Sequence, residues 1–539
     1  MKKLLFILFL STSLCLVSSA QVWQWRVTVD SVISTETNSH PQAFLWIPEN
    51  CKQVRGVVFT QHNMVEEGML EHPVFRKTMT ELAFAEIWVT PALTATFDFN
   101  KDAPADFNYM MKLLADASGY NELVSVPVIP MGHSALASFP WNFAAWNPQQ
   151  TLALISVHGD APLTKLTGSG RPNPDWGNRN IDGVPSLFIM GEYEWREDRI
   201  KPAFDYIEKH PNSVVSLFAD AGHGHFDYSD EMIEYICMFI QKAAKKRLPE
   251  KMSLDKPDAL NIIQPQQGWL MDRWHKDSLP QAAAAPYNNY KGDRRFASWV
   301  FDKEIAEAIE KFYAKARGKI NQYIGFKQNG EMLRPDQSHA DYNLKFIPLA
   351  DGISFNLGAF FTDTSGIRAV NSHAKTSLTI ERICGPVKKI NDTTFQISFY
   401  RMGFNNPKRS NDIWLLAGNK GDDRYKSAVQ QLAMRFPLKN NKGAEQRISF
   451  PKIENIKQDV KSITLAASSS AGVPVYYYVK EGPAEISGNK LMFTKIPLRS
   501  KYPLKVTVVA WQYGRSVDPK LKTAEPVEQS FYIVKQKDK

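Results

Sequence analysis

Between residues 21 and 250 the chain repeats one pattern: a short apolar run, then a segment with helical spacing. The runs are 55–61, 85–91, 126–131, 152–158, 186–190 and 214–219. They lack the polar alternation of a half-exposed strand, so both faces of each strand must be covered. Helical patterns at 73–83, 105–117 and 138–146 lie between them. A further helix over 230–246 carries Met232, Ile233, Ile236, Cys237 and Ile240 on one stripe. Two more strands, 23–32 and 42–48, open the region as an antiparallel pair. Eight strands with crossover helices predict an α/β architecture, a doubly wound and mostly parallel sheet.

This region is under half of a chain of 539 residues, so further domains must follow. Residues 251–445 are less regular. They hold one clear helix, 303–317, with Asp302 as N-cap and Gly318 past its end, and then short strands such as 376–382 and 394–400. This stretch reads as a mixed, β-rich accessory region. Residues 446–539 alternate short strands with turns at 462–467, 475–479, 491–496, 505–511 and 530–534, which fits a small β-sandwich.

Residues 1–20 read as a secretory leader: Lys2 and Lys3, an apolar core from Leu4 to Leu10, then Ser18, Ser19 and Ala20 before Gln21. An exported, periplasmic or extracellular protein is expected, with no integral membrane segment once the leader is removed. Cys51, Cys237 and Cys384 then remain, too few for a disulfide framework, and Cys237 falls on a helix's apolar face as a filler. The net charge of +9, falling to about +7 without the leader, is diluted over a long chain and gives little support to nucleic-acid binding. It is compatible with an acidic substrate.

The most informative stretch is Val128-Ile129-Pro130-Met131-Gly132-His133-Ser134-Ala135-Leu136, where an apolar strand runs into Gly-His-Ser and a helical pattern follows. A strand–Ser–helix elbow displays a serine hydroxyl on a tight turn, and Gly132 supplies the small residue needed two positions before it. The position two after, usually glycine, is Leu136. A serine nucleophile needs a base. After the last strand of the region comes Ala219-Asp220-Ala221-Gly222-His223-Gly224-His225-Phe226, where His223 is the preferred base and His225 its competitor. An orienting carboxylate is expected past the strand ending at Met190: Glu194 first, with Glu192 and Asp160 as alternatives. The oxyanion calls for two backbone N–H groups. Ala135 is expected to give one, and the loop Gln61-His62-Asn63-Met64 the other, through Asn63 or Met64.

Taken together, Ser134, then Glu194, then His223 in chain order resemble the α/β-hydrolase superfamily over about residues 42–247. The resemblance implies acyl transfer to serine followed by hydrolysis. The phrases around 465–470, 474–477 and 508–514 resemble an immunoglobulin-like module of the kind appended to secreted carbohydrate-active proteins. Together they imply a secreted serine esterase of the carbohydrate-esterase type, acting on an acylated polysaccharide. His62, Trp176 and Trp195 are the candidate substrate contacts. The competing expectation is a degenerate hydrolase domain used for glycan binding or scaffolding. No zinc, nucleotide or dinucleotide motif is present, so neither cofactor nor metal is expected. His223-Gly224-His225 has no partner cluster at ligand spacing in the sequence.

Overall fold

A computed structural model describes residues 22–164, 171–254, 256–404, 406 and 408–535. The leader expected over residues 1–20 lies outside them.

The eight expected strands form one sheet. They are β1 (Trp25–Thr28), β2 (Gln42–Trp46), β3 (Gly56–Gln61), β4 (Phe84–Thr90), β5 (Val128–His133), β6 (Leu154–Val157), β7 (Pro185–Gly191) and β8 (Val214–Asp220). Their order is β1-β2-β4-β3-β5-β6-β7-β8. The pairs β1/β2 and β2/β4 are antiparallel, and all pairs from β4/β3 to β7/β8 are parallel. This is the α/β-hydrolase fold, an order in which β3 and β4 exchange places before the sheet runs on sequentially. Every residue of β3 to β8 is buried, as the unbroken apolar runs require.

Six helices cover the two faces: α1 (Glu66–Leu70), α2 (Pro73–Leu82), α3 (Ala103–Ser118), α4 (Phe139–Trp146), α5 (Glu197–Lys209) and α6 (Asp230–Arg247). Helix α5 has no counterpart in the sequence reading. Its first turns are mostly charged and it carries Pro202, which hides a buried stripe of Ile200, Ala203, Phe204 and Tyr206. In α6 the Ser229 hydroxyl accepts from Met232 N–H, and Lys245, Lys246 and Arg247 lie in the last turn, where cations meet the negative helix end.

The edge of β8 is covered by residues of the accessory region. Strand Ala297–Val300 lies alongside it, with Ser298 Oγ accepting from Leu217 N–H and Ser216 Oγ donating to the Trp299 carbonyl. Helix α7 (Lys303–Ala316) follows, with Asp302 accepting from Ile305 N–H as expected of an N-cap. Beyond it the chain forms small, mainly antiparallel sheets. Described residues past 446 form three of them, one of four strands that includes Leu504–Trp511 and Val527–Val534, one of three, and one of two short strands. Cys51, Cys237 and Cys384 are buried and unbridged. Among the described residues no helix is long and apolar enough to cross a membrane.

Candidate active site

Ser134 follows the last residue of β5 and has φ +52°. A left-handed backbone costs an ordinary residue about 1–3 kcal/mol, so the surroundings must hold it there. Gly132 is what allows the turn to close, because a Cβ at that position would lie 2.2 Å from the Leu136 carbonyl oxygen. Leu136 does not open the elbow. Residues Ser134–Leu136 form one 3₁₀ turn, α4 begins only at Phe139, and the Leu136 side chain is buried in the core. The close approach is taken up instead by Gly159, where a Cβ would lie 1.9 Å from Ala137 Cβ.

The histidine at the serine is His225, which corrects the preference for His223. His225 Nε2 is 2.7 Å from Ser134 Oγ, and its Nδ1 is 2.5 Å from Glu194 Oε2. Because a carboxylate only accepts, Nδ1 carries the proton and Nε2 is free to accept from the serine hydroxyl. His223 is instead bound to Asp227, Nδ1 to Oδ2 at 2.5 Å. Two adjacent Gly-His units after one strand look alike in sequence, and only the path of the loop decides which ring meets the elbow.

Glu194 is the carboxylate that reaches the histidine, and the two alternatives do not. Glu192 Oε2 accepts from Gly222 N–H at 2.9 Å, and its Oε1 pairs with Lys426 at 2.9 Å. Asp160 is buried, its carbonyl accepting from Trp141 Nε1. Glu194 has further partners that sequence did not anticipate. His158, at the end of β6, places Nδ1 2.6 Å from Oε1, and Arg199 Nη1 donates to Oε2 at 3.1 Å. Burial raises the Glu194 carboxyl, but hydrogen bonds and charge from His158 and His225 outweigh it and hold the group well below the usual carboxylate range. Burial lowers His158, and Glu194, Asp220 and Asp227 more than offset it, so its pKa is raised.

His133 ties the elbow to the histidine loop. Its Nε2 donates to the His225 carbonyl at 2.7 Å, and its Nδ1 faces Asn63 Nδ2 at 3.2 Å. Burial, with His225 and His158 nearby, holds it well below the ordinary histidine range, in the neutral form these two bonds demand.

The expected second oxyanion donors are turned away. Asn63 N–H and Met64 N–H both donate to Glu66 Oε2, at 3.1 and 2.8 Å, and Glu66 Oε1 accepts from His133 N–H at 3.1 Å. Glu66 stands on the first turn of α1, and its buried carboxylate draws the loop's amides inward. Ala135 lies on the turn just past Ser134 and lines a cavity. That cavity, about 570 Å³, is also lined by His62, Asn63, Leu136, Arg171, Lys408 and Arg409. Arg409 arrives from the accessory region, donating to Glu36 at 2.7 Å and to the Asn63 carbonyl at 3.0 Å.

Of the expected substrate contacts, His62 lines this cavity and the two tryptophans do not. Trp176 is buried, its Nε1 donating to Asn142 Oδ1 at 2.8 Å. Trp195 packs on Trp274 with ring centroids 4.7 Å apart. The folded chain brings aromatic partners to both rings, Tyr206 to Trp176 and Trp274 to Trp195.

No protein-family model matches the chain, and no curated protein matches it in sequence. Solved structures do resemble it in part. The fluorophosphonate-binding serine hydrolase F of Staphylococcus aureus aligns at 10% identity and TM-score 0.28, over 41% of this chain and 97% of its own. A ferulic acid esterase of the anaerobic fungus Anaeromyces mucronatus aligns at 14% identity and TM-score 0.27, over 40% and 88%. An esterase of Pyrobaculum calidifontis aligns at 15% identity and TM-score 0.30, over 41% and 84%. The fold assignment rests on the strand order and on the elbow at Ser134.

Proposed function

We propose that the protein is an exported serine ester hydrolase that removes acyl groups from carbohydrate. The observation that carries this reading is the continuous chain Ser134 Oγ, His225 Nε2, His225 Nδ1 and Glu194 Oε2, closed by contacts of 2.7 and 2.5 Å. His225 takes the serine proton as Oγ attacks the ester carbonyl, and returns it to the departing alcohol. Water then attacks the acyl-enzyme by the same route. Glu194 keeps the imidazole in the required tautomer and stabilises its cation. Ala135 N–H receives the oxyanion. Arg171, Lys408 and Arg409 around the adjoining cavity favour a sugar that carries a carboxylate.

One observation favours a second reading, a degenerate hydrolase domain that binds glycan. It is the engagement of Asn63 and Met64 N–H by Glu66, which leaves Ala135 as the single expected backbone donor.

The test is fluorophosphonate labelling of the purified protein with the adduct mapped by mass spectrometry, followed by a panel of acylated neutral and acidic sugars. The enzyme reading expects an adduct on Ser134 and none in Ser134→Ala. A folded protein that takes no label yet retains polysaccharide supports the binding reading.

A further inference from the structure

Asp220 ends β8 and is fully buried, and neither of its carboxylate oxygens has a hydrogen-bond partner among the described residues. A desolvated carboxylate with no donor is expensive, and such a group calls for a ligand. Two more ligating side chains stand beside it. One donor atom from each of Asp220, His223 and Asp227 falls within 4.8 Å of the others. Asp227 is buried, and His223 borders a cavity of about 440 Å³ that also touches Asp227 and Glu231.

We propose that Asp220, His223 and Asp227 bind a divalent transition-metal ion, with zinc the best match. Two carboxylates and one neutral imidazole give the mixed oxygen and nitrogen set that zinc accepts, and their two negative charges balance the ion. Donor atoms on a tetrahedral zinc stand about 3.3 Å apart, so the His223–Asp227 contact of 2.5 Å would open slightly on binding. The cavity borders His223 and Asp227, so water for a fourth position would enter from that side.

The role is structural. The ion would cross-link the end of β8 to the loop that carries His225 and to the approach to α6, fixing the ring that meets Ser134. No metal is expected from sequence, where His223 and His225 are weighed together as a ligand pair and no partner cluster is seen. The folded loop instead sets His223 with its sequence neighbours Asp220 and Asp227, and it separates the two histidines, one to each task.

The experiment is metal analysis of the purified full chain, followed by chelator treatment and titration with zinc, manganese and calcium chlorides, read by calorimetry and by melting temperature. The expected result is close to one equivalent of zinc, a melting temperature raised by a few degrees at saturation, and at least a 100-fold weaker affinity in Asp220→Asn. Two results overturn the proposal: no metal in the purified protein together with no response to any of the three ions, or a zinc response that Asp220→Asn leaves unchanged. If Asp220→Asn does not fold, Asp227→Asn takes its place. Labelling of Ser134 is scored separately, so failure of the metal site and failure of the hydrolase reading stay distinguishable.

Discussion

The parallel sheet and the β-rich region that follows it treat the same site differently. The sheet brings the groups of the candidate site together at the ends of β5, β6, β7 and β8, where Ser134, His158, Glu194 and His225 converge. The accessory region supplies clamps. Lys426, 1% exposed, pairs with the fully buried Glu192 and with Asp277. Ser427 accepts from the Tyr193 hydroxyl through its carbonyl at 2.6 Å, so the loop bearing Glu194 is held from outside. Arg382 and Arg401 both pair with buried Glu67, next to the glutamate that holds the Asn63 and Met64 amides. The lesson is that a charge buried between two regions acts as a fastener: its partner cannot leave without stranding it.

The largest effects should come from the sheet's own groups. His225→Ala is expected to lower kcat by about 10⁴–10⁶-fold with the fold retained, as removal of a triad histidine does. A steady-state assay on any ester that the wild-type protein turns over decides this, and near-normal turnover would return the role to His223. Glu194→Gln should cost about 10⁴-fold, because an amide can stabilise the wrong imidazole tautomer. Turnover within tenfold of wild type would mean that His158 and Arg199 orient the site without it.

The clamps should act on stability first. Lys426→Met leaves Glu192 buried without its main partner and should cost about 3 kcal/mol, read as a lower urea midpoint. An unchanged midpoint would show that the accessory region rests on the sheet without holding it.

Glu66 gives the comparison a pH signature from inside the sheet region. Burial pushes its carboxyl up to about 7, against the three N–H donors it accepts. The folded form therefore keeps a proton that the unfolded chain releases near 4.3. Stability from this group is complete below that value and is lost as pH rises towards 7, by a few kcal/mol. Denaturation midpoints from pH 4 to 8 should fall in wild type and fall less steeply in Glu66→Gln, the remaining slope coming from other buried carboxyls such as Glu86; parallel curves would assign the whole slope elsewhere. The smallest effect belongs to Lys408→Ala at the cavity rim. It should raise KM about threefold for an ester of an acidic sugar and leave a neutral one unaffected, the size of an exposed charge contact.

Much of the site was legible because its signals are local. Gly132 and Ser134 mark a turn that few other residues can make, and Glu194 sits a short loop beyond β7. His158 was passed over because a lone histidine after an apolar strand carries no signal until its neighbour in space is known. Glu66 carries no signal in the sequence because the short helix α1 is not marked there, and a glutamate beside a loop ordinarily reads as a solvated charge. The two tryptophans were misjudged for the converse reason, since polar neighbours in sequence do not forbid apolar neighbours in space.

What the sequence determined by itself is the succession of the eight strands, the helices with a clear apolar stripe and the serine elbow, because hydrophobic periodicity and backbone sterics act over a few residues. Tertiary structure alone decided which histidine faces Ser134, where the amides of Asn63 and Met64 point, and which accessory side chains reach the site. Those choices depend on loop paths and on the pairing of buried charges. Such pairings join residues as far apart as Glu192 and Lys426, and their energy exists only after both partners have left water.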